Sequence, residues 1–230
     1  MAIAIAEPAA VYIDNSDASI YTSTNTWTPA ANDVIVGFIT ATASTLASPT
    51  LTSASETWTL QTSATFNSGV STIYCFTTAI TGTPTLTTPV FNCTGDSATG
   101  CVMAFLTFTG ADTSSPVVQT KTKDSTTSSN PTITLTSNLD TNNGYCAVLA
   151  NTANPAGITK PTSWTLANDT GHTSPTTGFH DDYRAGGETG STINWTRAGS
   201  INHGIIIIEI RVASTPSVTS VWSGLSMMGV

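Results

Sequence analysis

Apolar residues along this chain alternate with threonine and serine in short runs, and the runs are separated by clusters of Gly, Pro, Asn and Asp. No helix-length window repeats apolar residues every three to four positions, so the period is that of strands. The pattern predicts strands at Ala10–Ile13, Ile20–Thr24, Val34–Thr42, Thr57–Ser63, Ser71–Ala79, Thr85–Phe91, Val102–Thr109, Val117–Thr122, Pro131–Thr136, Gly144–Ala150, Ser163–Ala167, His180–Ala185, Thr192–Thr196 and Gly204–Val212. The last holds Ile205-Ile206-Ile207-Ile208, an unbroken run that suits a strand covered on both faces. The polar stretch 123–130 (KDSTTSSN) reads as an exposed turn.

A weak repeat underlies the pattern. Asp33 to Ser44 (DVIVGFITATAS) resembles Asn143 to Asn154 (NGYCAVLANTAN), and Thr-Trp58-Thr-Leu is answered by Ser-Trp164-Thr-Leu. A strand around Tyr74 is matched to one around Tyr183, and the turn Thr81-Gly82-Thr to Thr189-Gly190-Ser. The expected architecture is an all-β, antiparallel, jelly-roll-like β-sandwich with an internal duplication. Residues 1–30 form an N-terminal arm and first strands, and 31–212 the sandwich, with halves at about 31–122 and 131–212. Residues 213–230 form an apolar tail. Two sheets of one sandwich or two sandwiches in tandem are both open, and the lack of an obvious linker favours one unit.

Only 9% of the 230 residues are charged, so Thr, Ser and Asn carry the polar surface. The net charge is −8, and the basic residues Lys121, Lys123, Lys160, Arg184, Arg197 and Arg211 are too few and too dispersed for a row of phosphate contacts. Direct nucleic-acid binding is not expected. No apolar run reaches the length of a membrane span, and residues 1–10 lack the basic start of a signal peptide. Cys75 and Cys146 sit in apolar strands and read as buried free thiols, whereas Cys93 and Cys101 bracket a turn that a bridge could close.

No nucleophile elbow, phosphate-binding loop, dinucleotide fingerprint or HExxH is present, which removes the common enzyme classes. Asp181 and Asp182 are adjacent in a strand and point to opposite faces, so they cannot flank one substrate bond. His172, His180 and Asp181, with His203 as a possible third imidazole, are the candidates for a metal site or a metal-dependent hydrolase. Their spacing matches no compact ligand motif, and exposed loop or strand positions are the simpler reading; no cofactor is expected. Asp96, Asp112, Asp124 and Asp169 read as turn formers. Trp27, Trp58, Trp164, Trp195 and Trp222 could stack on sugars, but threonine-flanked tryptophans more often cover a sheet, and Trp58 and Trp164 share a repeat position. Val221, Trp222, Leu225, Met227 and Met228 in the tail are the candidate interaction residues.

The stretch Pro161-Thr-Ser-Trp164-Thr-Leu, the strand ending Phe108-Thr-Gly-Ala-Asp112-Thr-Ser-Ser-Pro116 and the final apolar strand resemble β-sandwich virion proteins of tailed bacteriophages, over most of residues 30 to 212. The resemblance implies a capsid decoration, head-fibre or tail-associated protein. Such a protein works in the virion, assembled in the host cytoplasm, with copies of itself and other virion proteins as partners and no catalytic residues. The alternative is a carbohydrate-binding or adhesion module for a host-surface glycan.

Overall fold

The computed structural model describes residues 2–43, 46–54 and 56–214. Val221, Trp222, Leu225, Met227 and Met228 lie outside the described residues. The chain is an all-β antiparallel sandwich protein, with a single 3-10 turn at Asn67–Gly69 as its one helical element among the described residues.

The strands of the first half are β1 (Ala4–Ala6), β2 (Tyr12–Ala18), β3 (Ile20–Thr22), β4 (Val34–Ala41), β5 (Thr50–Thr52), β6 (Thr59–Phe66), β7 (Ser71–Ala79), β8 (Val90–Asn92) and β9 (Ala98–Thr109). They build a large sheet in the order β1-β9-β4-β7-β6, with β2 also on β9, and a small sheet β3-β8-β5. The second half contains β10 (Val117–Ser128), β11 (Thr132–Thr134), β12 (Gly144–Asn151), β13 (Ile158–Thr159), β14 (Thr165–Thr173), β15 (Thr176–Ala185), β16 (Thr192–Asn194), β17 (Thr196–Arg197) and β18 (Ile201–Ile210). Its large sheet runs β10-β18-β12-β15-β14, and β11-β16 and β13-β17 form two short ladders. The connectivity is the same in both, with β4, β7, β6 and β9 answered by β12, β15, β14 and β18.

Both arrangements raised by the repeat are present at once. Each large sheet is covered on its outer face by its own small sheet or ladders, and the two large sheets pack face to face. Alternation within each strand divides the side chains between layers. In β4, Val34, Val36 and Phe38 enter the shared central layer while Ile35 and Ile39 enter the outer core of the first half. In β18, Ile206, Ile208 and Ile210 turn inward and Ile205 and Ile207 outward, which accounts for the unbroken isoleucine run. The central layer joins Phe66, Leu106 and Phe108 of one half to Val148, Phe179 and Ile208 of the other. Edge strand β6 lies against β10 and edge strand β14 against β2, so the halves face one another reciprocally, as two related units with approximate two-fold symmetry do.

The residues around the join and the N-terminus have firmer roles than the sequence pattern conveys. The polar stretch after Lys123 is not a turn: β10 continues to Ser128, pairing with β18 through a bulge between Lys123 and Thr126. At the edge of its sheet none of its side chains is fully buried, so Thr and Ser suffice. Because β10 belongs to the second sheet, the division between halves falls near Ser114 to Pro116. Strands β1 and β2 pair with β9, and β3 pairs with β8, so the first thirty residues are woven into the first half. All four cysteines are buried free thiols, Cys93 and Cys101 included.

Candidate functional site

Register identifies the duplicated positions. Tyr74 stands opposite Ile39 and His180 opposite Leu149, and these two pairs occupy equivalent places in their sheets, so the counterpart of Tyr74 is His180 rather than Tyr183. Tyr74-Cys75-Phe76 in the first half therefore becomes His180-Asp181-Asp182 in the second. Three adjacent core positions change from apolar or weakly polar to ionisable, and all three remain fully buried.

Strand alternation sends these groups to opposite faces. Asp182 enters the outer side of the second half, where its Oδ2 accepts the Trp195 indole N–H at 2.7 Å and lies 3.3 Å from His180 Nε2. His180 Nδ1 is 3.9 Å from the Asp169 carboxylate, an ion-pair distance too long for a hydrogen bond. Burial opposes protonation of His180, but the Asp169 and Asp182 carboxylates outweigh it and push its pKa up to about 9. Burial likewise raises the Asp182 carboxyl, against the attraction of His180 and the Trp195 donor. His180 and Asp182 form a closed, buried pair, with the Trp195 indole as second donor to the carboxylate.

Asp181 enters the central layer instead, among Cys146 of β12 and Cys75 of β7, with Asn168 of β14, Tyr183 and Glu7 toward the rim. Neither carboxylate oxygen has a hydrogen-bond partner at bonding geometry. Burial raises its pKa to about 7; the Asn168 amide and His180 oppose this and the Asp182 and Glu7 carboxylates add to it.

The other histidines are buried too, not exposed as their loop-like neighbourhood suggested. His172 crosses to the other half, where its Nε2 is 3.1 Å from Thr42 Oγ1. Its ring rests on Gly100, a glycine with φ +87° at which a Cβ would stand 2.7 Å from the imidazole. Burial lowers its pKa. His203 Nδ1 donates to the Ile201 carbonyl at 3.1 Å, and burial lowers its pKa as well. The candidates His172, His180, Asp181 and His203 thus occupy separate places. Among the described residues no group of three or more His, Cys, Asp or Glu is placed to hold a metal ion.

Of the turn-forming aspartates, Asp112 does cap its own turn, accepting from the Ser114 N–H at 2.9 Å. Asp124, in the bulge of β10, instead accepts the Thr65 N–H of the other half at 2.7 Å. Asn15, in the bulge of β2, does the same for Thr173 at 2.7 Å, so each half ties down the other's hairpin. Glu209 escaped notice in the sequence, although a carboxylate beside four isoleucines was a visible signal. It is buried and accepts from Gln119, the Asp140 N–H and Asn143, which pins the turn before β12 onto the sheet.

Open depressions occur in both halves, one of about 370 Å³ at Gln119, Asp140 and Glu209 in the second and a larger one in the first. A groove of about 440 Å³ runs between β5 and β6, lined by Leu51, Glu56, Thr57, Trp58, Leu60 and Phe76. Two smaller depressions share Thr57 with it, one reaching Pro116 and the other Gly82. Trp58 is half-buried, its indole N–H donating to Ser53 at 2.8 Å and its ring 5.8 Å from Phe105. Trp27, Trp164 and Trp195 are buried core residues, as expected of sheet-covering tryptophans.

Among the described residues no helix is long and apolar enough to cross a membrane. Comparison with protein-family models, with curated proteins and with solved structures finds no match to this chain.

Proposed function

We propose that this chain is a non-enzymatic structural protein of the exterior of a tailed-phage particle, of capsid-decoration type, joining copies of itself and other virion proteins through its ends and free sheet edges. The observation that carries this reading is where the ionisable groups lie. His172, His180, His203, Asp181, Asp182 and Glu209 are all buried in the body of the protein, where all but Asp181 are hydrogen-bonded to other groups of the chain. Two sandwiches sharing a central apolar layer make a stiff block suited to repetition on a surface. The virion-like stretches around Phe108–Pro116 and Pro161–Leu166 give the reading its particular setting.

The test is sedimentation and electron microscopy of the full chain, alone and mixed with tailed-phage particles. A defined oligomer or particle-bound protein is expected; a monomer at every concentration that binds no particle would remove the reading.

A second reading is favoured by one feature: Trp58 alone among the four described tryptophans is partly open, beside hydroxyl-bearing threonines in a groove. That is the setting of a sugar-stacking site. Glycan-array binding lost on Trp58→Ala would establish it, and a blank array with the full chain would end it.

A further inference from the structure

The duplication shows that the two tryptophans of the repeat are finished differently. Trp164 is 2% exposed, because the loop after β15 folds over it. Glu188 accepts its indole N–H at 3.2 Å, Arg184 holds Glu188 at 2.7 Å, and Gly187 is bonded to the Thr141 carbonyl. At the matching place in the first half, Thr81, Gly82 and Thr83 stand exposed, and nothing lies within 4 Å of a Cβ built on Gly82. The next apolar position is equally open in both halves, Leu60 at 42% and Leu166 at 41%.

The described chain ends at the same end of the large sheet as this groove, with Val212 packed on the central layer, the opposite face of the sheet. The Ala213 N–H bonds to the Gly110 carbonyl and the Arg211 N–H to the Pro116 carbonyl, and Pro116 lines the depression that reaches Thr57. From the end of β9 to the start of β6 is three strand spacings, roughly 14 Å. Residues 215–230, extended, would reach roughly 50 Å. They carry no charge and include Val218, Val221, Trp222, Leu225, Met227 and Met228, a composition matched to a groove of Leu51, Trp58, Leu60 and Phe76.

We propose that the C-terminal segment 215–230 seats in the Trp58 groove of its own chain, doing for the first half what the 186–190 loop does for the second. Attachment at Ala213 makes the encounter intramolecular, which favours the chain's own segment over a neighbour's. Contacts with neighbouring copies then fall to the N-terminal strand and the free sheet edges.

The test uses the full chain, whose four native cysteines are all buried. A Leu60→Cys, Leu225→Cys protein is compared with a Val70→Cys, Leu225→Cys control, Val70 being exposed at the opposite end of β6 and β7. Under mild oxidation the first pair is expected to close within one chain, at a rate unchanged by dilution, while the control lags. Equal rates in the two proteins, or a covalent dimer whose yield falls on dilution, would overturn the proposal, the latter assigning the groove to a second copy. Hydrogen exchange supplies the second readout. Exchange at Thr57–Leu60 should quicken in a full-length Trp222→Ser, Leu225→Ser variant, and unchanged exchange there would count equally against it. Both readings report contacts within one chain, so they stand apart from whether the protein assembles.

Discussion

The two halves share their strand order and their central layer, yet they fill the same three positions of one strand with opposite chemistry. In the first half Tyr74 and Phe76 pack against Phe91, with ring centroids 5.7 and 6.4 Å apart, and Cys75 enters the central layer. In the second, His180 and Asp182 form an ion pair under Trp195 and Asp181 takes the place of the thiol. One backbone accepts both solutions, so the fold is fixed by the alternation of buried strands and not by the identity of these residues. The polar solution needs partners, and it binds protons that the apolar one does not.

Removing one partner of the ion pair should have the largest effect. His180→Gln leaves Asp182 buried with the indole as its remaining donor and is expected to cost about 3–5 kcal/mol. Tyr74→Phe at the matching position removes one hydrogen bond, from the Leu46 N–H, and should cost only about 1 kcal/mol. Urea denaturation of both proteins at pH 7 measures the contrast, and equal losses would break it.

Tryptophan truncation sharpens the comparison from another side. Trp164→Ala empties a closed site beside Tyr145 and Trp195 and should cost about 3–5 kcal/mol. If the Trp58 groove is open, Trp58→Ala should cost well under half as much; if residues 215–230 cover it, the two losses should converge.

Asp181 gives a smaller effect of opposite sign. Its folded pKa of about 7 lies above the ordinary 3.8, so the folded state holds a proton that the unfolded chain has released. Stability therefore falls as pH rises between those two values, and above them the full penalty of a buried charge remains. Asp181→Asn should raise stability at pH 8 by about 2 kcal/mol, after allowing for the amide's own unmet bonds, and raise it little or not at all at pH 4. His180 adds a second window, in which stability likewise falls as pH rises. Its folded pKa of about 9 is above the ordinary 6.5, so its contribution is complete below 6.5 and is lost as pH climbs through 9. Smallest of all, Thr42→Val removes the hydroxyl facing His172 and should cost about 1 kcal/mol.

Much of this architecture was legible in the residues. Alternating threonine and aliphatic positions marked the strands, the isoleucine run marked a doubly covered strand, and the paired Trp-Thr-Leu motifs marked the duplication. Adjacent strand residues pointing to opposite faces also separated Asp181 from Asp182 correctly. What escaped was decided by distant packing. The stretch after Lys123 is polar enough for a turn, but an edge strand whose side chains are at most partly buried tolerates that polarity. His172, His180 and His203 sit among threonines and glycines that look exposed, and only the stacking of the two large sheets and their covers encloses them. Trp58 and Trp164 share a motif, and the loop that hides one of them lies more than twenty residues downstream of it.

Calorimetric unfolding of the full chain at pH 5 and pH 8 bears most directly on the idea of one block whose polar groups are enclosed as structure. A shared central layer should give a single transition, with calorimetric and van't Hoff enthalpies in agreement, and the gain in melting temperature from Asp181→Asn should be larger at pH 8 than at pH 5. Two separable transitions, or an Asp181→Asn gain no larger at pH 8 than at pH 5, would contradict it.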